Sequence, residues 1–176
     1  MHNYDILDGP ECYLAYAAVC DELLHKVAAG EYAACIACPM CSTFSKLLNL
    51  PGTPALRDAS GPGRYGKKGL TPAQKEKVRL HTLVAVRVAQ VLTLLTVRML
   101  PWIFEAPHAI EKQVSVLNLD GYTEPPSRPD VVKIIGAQCP FGVVSSKPTA
   151  WAHHRAVLSG MPMTCPHAKK ICLSIR

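Results

Sequence analysis

The sequence predicts an α/β fold in which a mostly parallel sheet carries helices on its faces. Segments with apolar residues at helical spacing alternate along the chain with short apolar runs of strand length. These runs are continuous rather than alternating with polar residues, which is typical of strands buried on both faces. With 176 residues, of which 49% are hydrophobic, the chain can bury a sizeable core. We expect an α/β domain over residues 1–150, followed over residues 151–176 by a basic tail that contains Cys and His and need not be ordered.

The first predicted helix covers residues 11–29, where apolar residues recur at helical spacing. Gly30 follows as a natural C-terminal stop. The apolar run over residues 32–38, which Pro39 ends, has the length of a strand. A helix, a Gly and a buried strand together form one α/β unit.

A basic loop rich in Pro and Gly, residues 51–70, leads to the second helix. The start of that helix is clear in the sequence. Thr71 can act as N-cap, Pro72 suits the first helical position, and Gln74 completes a capping box. We expect the helix to end before Pro101 and its second half to be buried, because that half is apolar nearly all round.

Two further apolar runs, residues 101–107 and 130–139, complete the predicted sheet. In an open parallel sheet the carboxyl ends of the strands lie at one edge, and ligands bind there. This edge is expected to bring together Cys41, Glu105 and the segment 139–147.

Charge and targeting signals narrow the classes of function. The net charge of +6 permits a polyanionic partner, although Lys and Arg are spread along the chain. The N-terminus has no basic region followed by an apolar run, so we expect no signal peptide and an intracellular protein of the nucleus or cytoplasm. Arg87, Gln90 and Arg98 interrupt the longest apolar run, residues 83–100, so we expect no membrane-spanning helix.

Three of the eight cysteines, Cys35, Cys38 and Cys41, lie within seven positions. In a reducing compartment, clustered cysteines indicate metal binding or catalysis rather than disulfides. Cys35 and Cys38 fall within the predicted strand, where free Cys is typically a core residue. Cys41 lies just past the strand, where a thiolate could act as a nucleophile.

Glu105 and Lys147 could complete a catalytic set with Cys41. The apolar neighbours of Glu105, residues 102–104, could raise its pKa so that it holds a proton on a substrate ring nitrogen. Each residue also has a simpler interpretation. Cys41 could be a core residue, Glu105 could cap a helix or pair with an Arg, and Lys147 could be a solvated surface residue.

Three motifs carry a resemblance to a known family. "CSTFS" (residues 41–45), "WIFEAP" (102–107) and "FGVVSSKPT" (141–149) have the order and approximate spacing of three motifs of the cytosine-5 DNA methyltransferases. The closer resemblance is to a divergent methyltransferase-like group associated with mobile, transposable elements. "GKKGLTPAQKEKVRL" (66–80) and "AQCPFGVVSSKPT" (137–149) look like two further segments of that group. The resemblance covers roughly residues 5 to 170, and the ordered set is more specific than any single motif.

The resemblance implies a Rossmann-like, class I methyltransferase-like fold and a mechanism. In that family a Cys thiolate adds to carbon 6 of a cytosine that has been swung out of the duplex. A Glu steadies the protonated ring nitrogen 3, and carbon 5 takes a methyl group from S-adenosylmethionine. Carried over by position, Cys41 is the nucleophile and Glu105 recognises the base, with DNA expected as the partner rather than RNA. The substrate-binding positions implied are Ser42, Phe44, Ser45 and Lys147.

The chain also departs from the family's pattern. Met40 stands where Pro precedes the nucleophile, and Ala106 stands where Asn follows the Glu. Ser145 stands where Gln is expected, and Thr149 where Arg is expected. No Gly-rich turn after an apolar strand precedes Cys41, although the family places its S-adenosylmethionine loop there. The comparison therefore implies an N-terminally truncated domain, which is either degenerate or completed by a second chain.

A zinc- or iron–sulfur-binding interaction module is the main alternative. The Cys-x-x-Cys-x-x-Cys run of residues 35–41 resembles part of an iron–sulfur ligand set. In the tail, Cys165, His167 and Cys172 could bind zinc, and Cys139 could complete either site.

The other alternative is a non-catalytic nucleic-acid-binding remnant. Its basic surface would use Arg57, Arg64, Lys67 and Lys68 of the loop together with the tail. Such a charge run is usually only a solvated face, so this interpretation requires a direct binding test.

Overall fold

The computed structural model describes most of the chain up to residue 154, namely residues 4, 9–44, 55–107, 113–122, 131–137 and 148–154. These residues form two α-helices, four short 3-10 helices and one four-stranded sheet. The elements are α1 (Ala17–Ala29), β1 (Cys35–Ala37), α2 (Pro72–Val97), β2 (Trp102–Pro107), β3 (Val131–Ala137) and β4 (Pro148–His154).

Helix α1 begins later than the sequence predicts but ends where it predicts. A short 3-10 helix over Pro10–Cys12 precedes α1, and the backbone of Tyr13 is extended, which interrupts the helical run. At the other end Gly30 takes the left-handed conformation, with φ 81°, and its N–H bonds back into the last turn. Gly adopts this conformation without steric cost, so it ends the helix here.

Helix α2 confirms the predicted start. The hydroxyl of Thr71 accepts a hydrogen bond from the backbone N–H of Gln74, and the Gln74 side chain accepts one from the backbone N–H of Thr71. Among the described residues, α2 is the one helix that is long and apolar enough to cross a membrane by length and composition. Half of its most apolar window is buried inside the fold. The core helix of a soluble protein has the same length and composition, so α2 is weak evidence for a membrane span.

The strands form a mixed sheet in the order β1-β2-β4-β3. Strands β1 and β2 are parallel, whereas β4 is antiparallel to both β2 and β3. The α/β class is thus confirmed, but the prediction of a mostly parallel sheet is wrong for these strands. Residues 138–147 connect β3 to β4, and this connection is shorter than the roughly dozen residues that a parallel crossover needs. The two strands therefore pair antiparallel.

Strand β4 lies where the sequence predicts the start of the basic tail. It runs from Pro148 to His154 and pairs on both sides, so the predicted domain boundary between residues 150 and 151 falls inside a central strand. Residues 155–176, with the metal ligands proposed for the tail, lie outside the described residues.

The core lies against one face of the sheet. Along β2 the side chains of Trp102, Phe104 and Ala106 are buried, and the residues between them are only partly buried. The indole N–H of Trp102 donates to the Thr96 hydroxyl at 2.8 Å, which fixes the ring against the end of α2. On the neighbouring strand β1, Ile36 is 75% exposed, so this part of the opposite face is open.

Candidate functional site

The predicted edge of the sheet does form, although the sheet is mixed. Because β4 is antiparallel to both of its neighbours, β1, β2 and β3 all run in the same direction. The carboxyl ends of these three strands and the start of β4 therefore lie at one edge. The chain continues from this edge through Cys38 to Cys41, and Ala137 and Pro148, the described residues on either side of 138–147, also lie there. Ser45 and Lys147, two predicted site residues, lie outside the described residues.

The register of β1 and β2 places Glu105 beside Cys38. Ala37 pairs with Phe104, and the next residues are Cys38, just past the end of β1, and Glu105, within β2. Local desolvation raises the pKa of the Cys38 thiol, and the negative charges of Glu105 and of Cys41 raise it further. Cys38 thus lies within electrostatic reach of both predicted catalytic residues. Its raised pKa makes Cys38 a poor nucleophile at neutral pH, because the thiolate is the reactive form.

Of the two cysteines predicted to be core residues, Cys35 fits the prediction and Cys38 does not. Cys35 is half-buried within β1 and packs against the core, and desolvation raises its pKa to about 11. This agrees with its predicted core role. Cys38 was predicted to be a core residue as well, but it is exposed because β1 ends at Ala37 and Cys38 begins the following loop.

Cys41 opens a tight turn whose later residues are buried. The N–H of Phe44 bonds to the carbonyl of Cys41 at 2.8 Å. Cys41 is half-buried and Ser42 is exposed, whereas Thr43 and Phe44 are buried. Phe44 therefore lies in the core instead of at the substrate-binding position that the resemblance implies. Burial of the second half of the turn holds its first half, with Cys41, at the surface.

A buried arginine holds this turn. Arg57 is only 1% exposed, its Nε donates to the Thr43 hydroxyl at 3.2 Å, and its guanidinium carbon lies 3.9 Å from the centroid of the Phe44 ring. A cation over an aromatic face is attracted by the ring quadrupole, and more strongly where water is excluded. One side chain thus fixes two consecutive residues of the Cys41 turn.

The remaining donors of Arg57 connect the turn to its surroundings. Nη1 donates to the carbonyl of Arg64 at 2.8 Å, and Nη2 donates to the carbonyl of Val78 and the hydroxyl of Thr82, both at 2.9 Å. These acceptors are uncharged carbonyls and a hydroxyl. Burial lowers the pKa of Arg57 to about 10, so the guanidinium still carries its charge at neutral pH.

His81 completes the network under the turn. Its Nδ1 lies 3.2 Å from the Thr43 hydroxyl, and its side chain is buried. Desolvation, with the positive charges of Lys77 and Arg57, lowers the pKa of His81 to about 4. His81 is therefore neutral at physiological pH.

Sequence reasoning missed both Arg57 and His81 as supports of the site. It placed Arg57 on a nucleic-acid-binding surface, and its burial removes it from that surface. Arg64, assigned to the same surface, is half-buried and bonds through Nη2 to Asp120 at 2.5 Å. Two weak signals were available in the sequence. His81 occupies an apolar position of the predicted helix, and Arg57 lies in a loop that leads back to the core.

The structure also bears on metal binding. Among the described residues, His, Cys, Asp and Glu form no group of three or more that could hold a metal ion. Cys35, Cys38 and Cys41 therefore do not converge on one point. Cys139, Cys165, His167 and Cys172, which the metal-binding alternative also uses, lie outside the described residues.

The residues before β1 do not fit an S-adenosylmethionine loop. In residues 9–34 the chain forms a 3-10 helix and α1, and β1 is the first strand described. The described part of the chain therefore offers no strand followed by a Gly-rich turn ahead of Cys41, which is where the family resemblance places that cofactor.

In comparisons with protein-family models, with curated proteins and with solved structures, none matches this chain.

Proposed function

We propose that this chain is a cytosine-5 methyltransferase-like domain that binds DNA and adds Cys41 to an unstacked cytosine. The observation that carries the proposal is the parallel, in-register pairing of β1 with β2. This pairing brings the loop from Cys38 to Cys41 and the end of the Glu105 strand to one edge of the sheet. The order β1-β2-β4-β3, with one reversed strand between strands of common direction, is also compatible with a class I methyltransferase-like sheet.

The proposed step needs only residues of this chain. The Cys41 thiolate adds to carbon 6 of the cytosine, and the electrons of the 5,6 double bond move into the ring toward nitrogen 3. Glu105 holds the proton on nitrogen 3 and so stabilises the charge that develops there. Carbon 5 then becomes nucleophilic and can take a proton from water. Loss of a proton from carbon 5 and departure of the thiolate restore the cytosine.

S-adenosylmethionine is the methyl donor that the resemblance implies. Since the described residues offer no loop for it, we propose that a second polypeptide contributes the donor site. Calorimetric titration of the purified chain with S-adenosylmethionine tests this directly. Binding by the chain alone would contradict the need for a second polypeptide.

The addition step can be tested without any methyl donor. An oligonucleotide incubated with the protein in deuterated water should gain deuterium at carbon 5 of cytosine, as measured by mass spectrometry. Cys41→Ser should abolish the exchange, Glu105→Gln should slow it strongly, and Cys38→Ser should leave it largely intact. Exchange that survives Cys41→Ser, or no exchange by the wild-type protein, would overturn the proposed role of Cys41.

A further inference from the structure

An open groove of roughly 490 Å³ lies between the loop after Arg64 and the first half of α2. We call it the α2 groove. Its lining contains three cations, Lys67, Lys75 and Arg79, and one aromatic ring, Tyr65. Among its apolar lining residues, Leu83 and Val86 are only partly buried. None of these residues has a role in the site at the edge of the sheet.

Arg57 connects the two walls of the α2 groove by hydrogen bonds. Arg57 bonds to the carbonyl of Arg64 on the loop side, and to Val78 and Thr82 on the α2 side. Val78 and Thr82 themselves line the groove. The backbone N–H of Lys67 bonds to the carbonyl of Leu56 at 3.0 Å, which anchors the loop wall. The groove is therefore preformed, and a ligand need not order it.

The charges of the groove favour an anion with few charges. Lys67 pairs with Asp58 at 3.3 Å, and Arg79 pairs with Glu76 at 2.8 Å. Lys75 takes part in none of the ion pairs formed between described residues. Two cations are thus partly neutralised and one is uncommitted, which suits one or two phosphates rather than a dense cluster of negative charge.

The apolar lining residues Leu83 and Val86, which we call the apolar floor, and the ring of Tyr65 favour a ligand that also has a flat, apolar part. Tyr65 is 39% exposed, and its hydroxyl donates to Asp120 at 2.6 Å, which holds the ring in place. A fixed aromatic ring next to cations is the combination that single-stranded nucleic acids recognise through base stacking and phosphate contacts. A duplex hides its base faces and could use only the cations.

We infer that the α2 groove binds single-stranded nucleic acid, with a base against Tyr65 and the apolar floor and a phosphate on Lys75. The inference rests on the proposed function in that the partner is nucleic acid. It adds a second contact region. Arg57 separates this region from the Cys41 turn, because it bonds to Thr82 on the groove side and to Thr43 on the turn side.

The test measures binding of a fluorescently labelled single-stranded oligothymidylate to the full chain by anisotropy, at several salt concentrations. Lys75→Glu is compared with Lys77→Glu, because both lysines are exposed on α2 and only Lys75 lines the groove. Lys75→Glu should weaken binding about tenfold and reduce the salt dependence by about one released counterion. Lys77→Glu should weaken binding less than about twofold.

A second pair of variants tests stacking. Tyr65→Ala should weaken binding about tenfold, the lower range found when a stacking aromatic is removed. Tyr65→Phe keeps the ring and loses the hydrogen bond that fixes it to Asp120, so it should bind more weakly than the wild type but clearly more tightly than Tyr65→Ala. If Tyr65→Phe loses as much affinity as Tyr65→Ala, the ring does not stack on a base and the inference fails.

Three further results would overturn the inference. They are no binding of the single strand at low salt, tighter binding of a duplex of the same length, and equal losses for Lys75→Glu and Lys77→Glu. Deuterium exchange at cytosine, measured alongside oligothymidylate binding, separates this inference from the proposed function. If binding depends on Lys75 but no deuterium exchange at cytosine is seen, the proposed function fails and the inference about the α2 groove stands. If exchange is seen but the two lysine variants lose equal affinity, the inference about the α2 groove fails and the proposed function stands.

Discussion

The guanidinium carbon of Arg57 lies 3.9 Å from the centroid of the Phe44 ring, and each of the two residues is only 1% exposed. This contact links the loop that follows Cys41 to helix α2, because Arg57 also bonds to Val78 and Thr82. The position of Cys41 thus depends on a buried cation that the sequence alone does not reveal.

Replacing Arg57 should destabilise the fold. Arg57→Ala leaves a cavity and deprives the Arg64 carbonyl of its donor, and we expect a loss of about 2–4 kcal/mol in the free energy of unfolding. The stability of Arg57→Lys should lie between those of the wild type and Arg57→Ala, because one ammonium group cannot reach all the acceptors that the planar guanidinium binds. Urea denaturation measures the effect. Arg79→Ala, an exposed arginine on α2, is the control and should change stability little, and an Arg57→Ala protein as stable as this control would contradict the prediction.

Stability should fall as the pH is lowered from 6.5 to 4 because of His81. Its pKa is lowered from 6.5 to about 4 in the folded protein, so within this range the unfolded chain binds a proton that the folded protein does not. The free energy of unfolding therefore rises with pH across this window, by on the order of 3 kcal/mol for a shift of this size.

Comparison with His81→Asn isolates this contribution. The Asn amide can still bond to the Thr43 hydroxyl but does not titrate. Urea denaturation at several pH values should show a smaller change between pH 4 and 6.5 for His81→Asn than for the wild type. Identical pH dependence in the two proteins would show that His81 is not responsible.

The cysteines should react with iodoacetamide at different rates. Cys20 is 2% exposed, and the pKa of Cys35 is raised to about 11, so both should be modified slowly at pH 8. Cys41, half-buried at the turn, should be modified before them. Alkylation followed by peptide mass spectrometry measures the order, and rapid labelling of Cys35 at pH 8 would contradict the partial burial of this thiol against the core.

The capping box at the start of α2 should contribute measurably to stability. Thr71→Ala removes the hydroxyl that accepts from the Gln74 N–H, and it should cost about 1 kcal/mol in the free energy of unfolding. Thr71→Ser, which keeps the hydroxyl, is the matched control and should cost much less. The melting temperatures of the two variants give the comparison, and equal values would show that the cap contributes nothing.

Local signals in the sequence predicted much of the fold. The left-handed Gly30 ends α1, and Thr71 with Gln74 starts α2, because these features depend only on neighbouring residues. Continuous apolar runs located β1, β2 and β3. The order of these runs also predicted that the loop after β1 and the end of β2 lie at one edge of the sheet.

Long-range features were not predictable in this way. Strand β4 begins at Pro148 and ends in the polar residues His153 and His154, so its sequence lacks the longer apolar run that marked the other strands. Its place between β2 and β3 is decided by pairing across the sheet. Arg57 is charged, and only the acceptors that the fold brings around it make its burial favourable.

The central position of β4 has a consequence for synthesis of the chain on the ribosome. N-terminal segments fold first during translation, so β1, α2 and β2 can associate while β3 is still being made. Strands β2 and β3 cannot be joined until residue 154 has left the exit tunnel, because β4 lies between them. Until then β2 exposes an unpaired strand edge, which is open to pairing with other nascent chains. Co-translational aggregation should therefore depend on how quickly the ribosome passes the codons between β2 and β4.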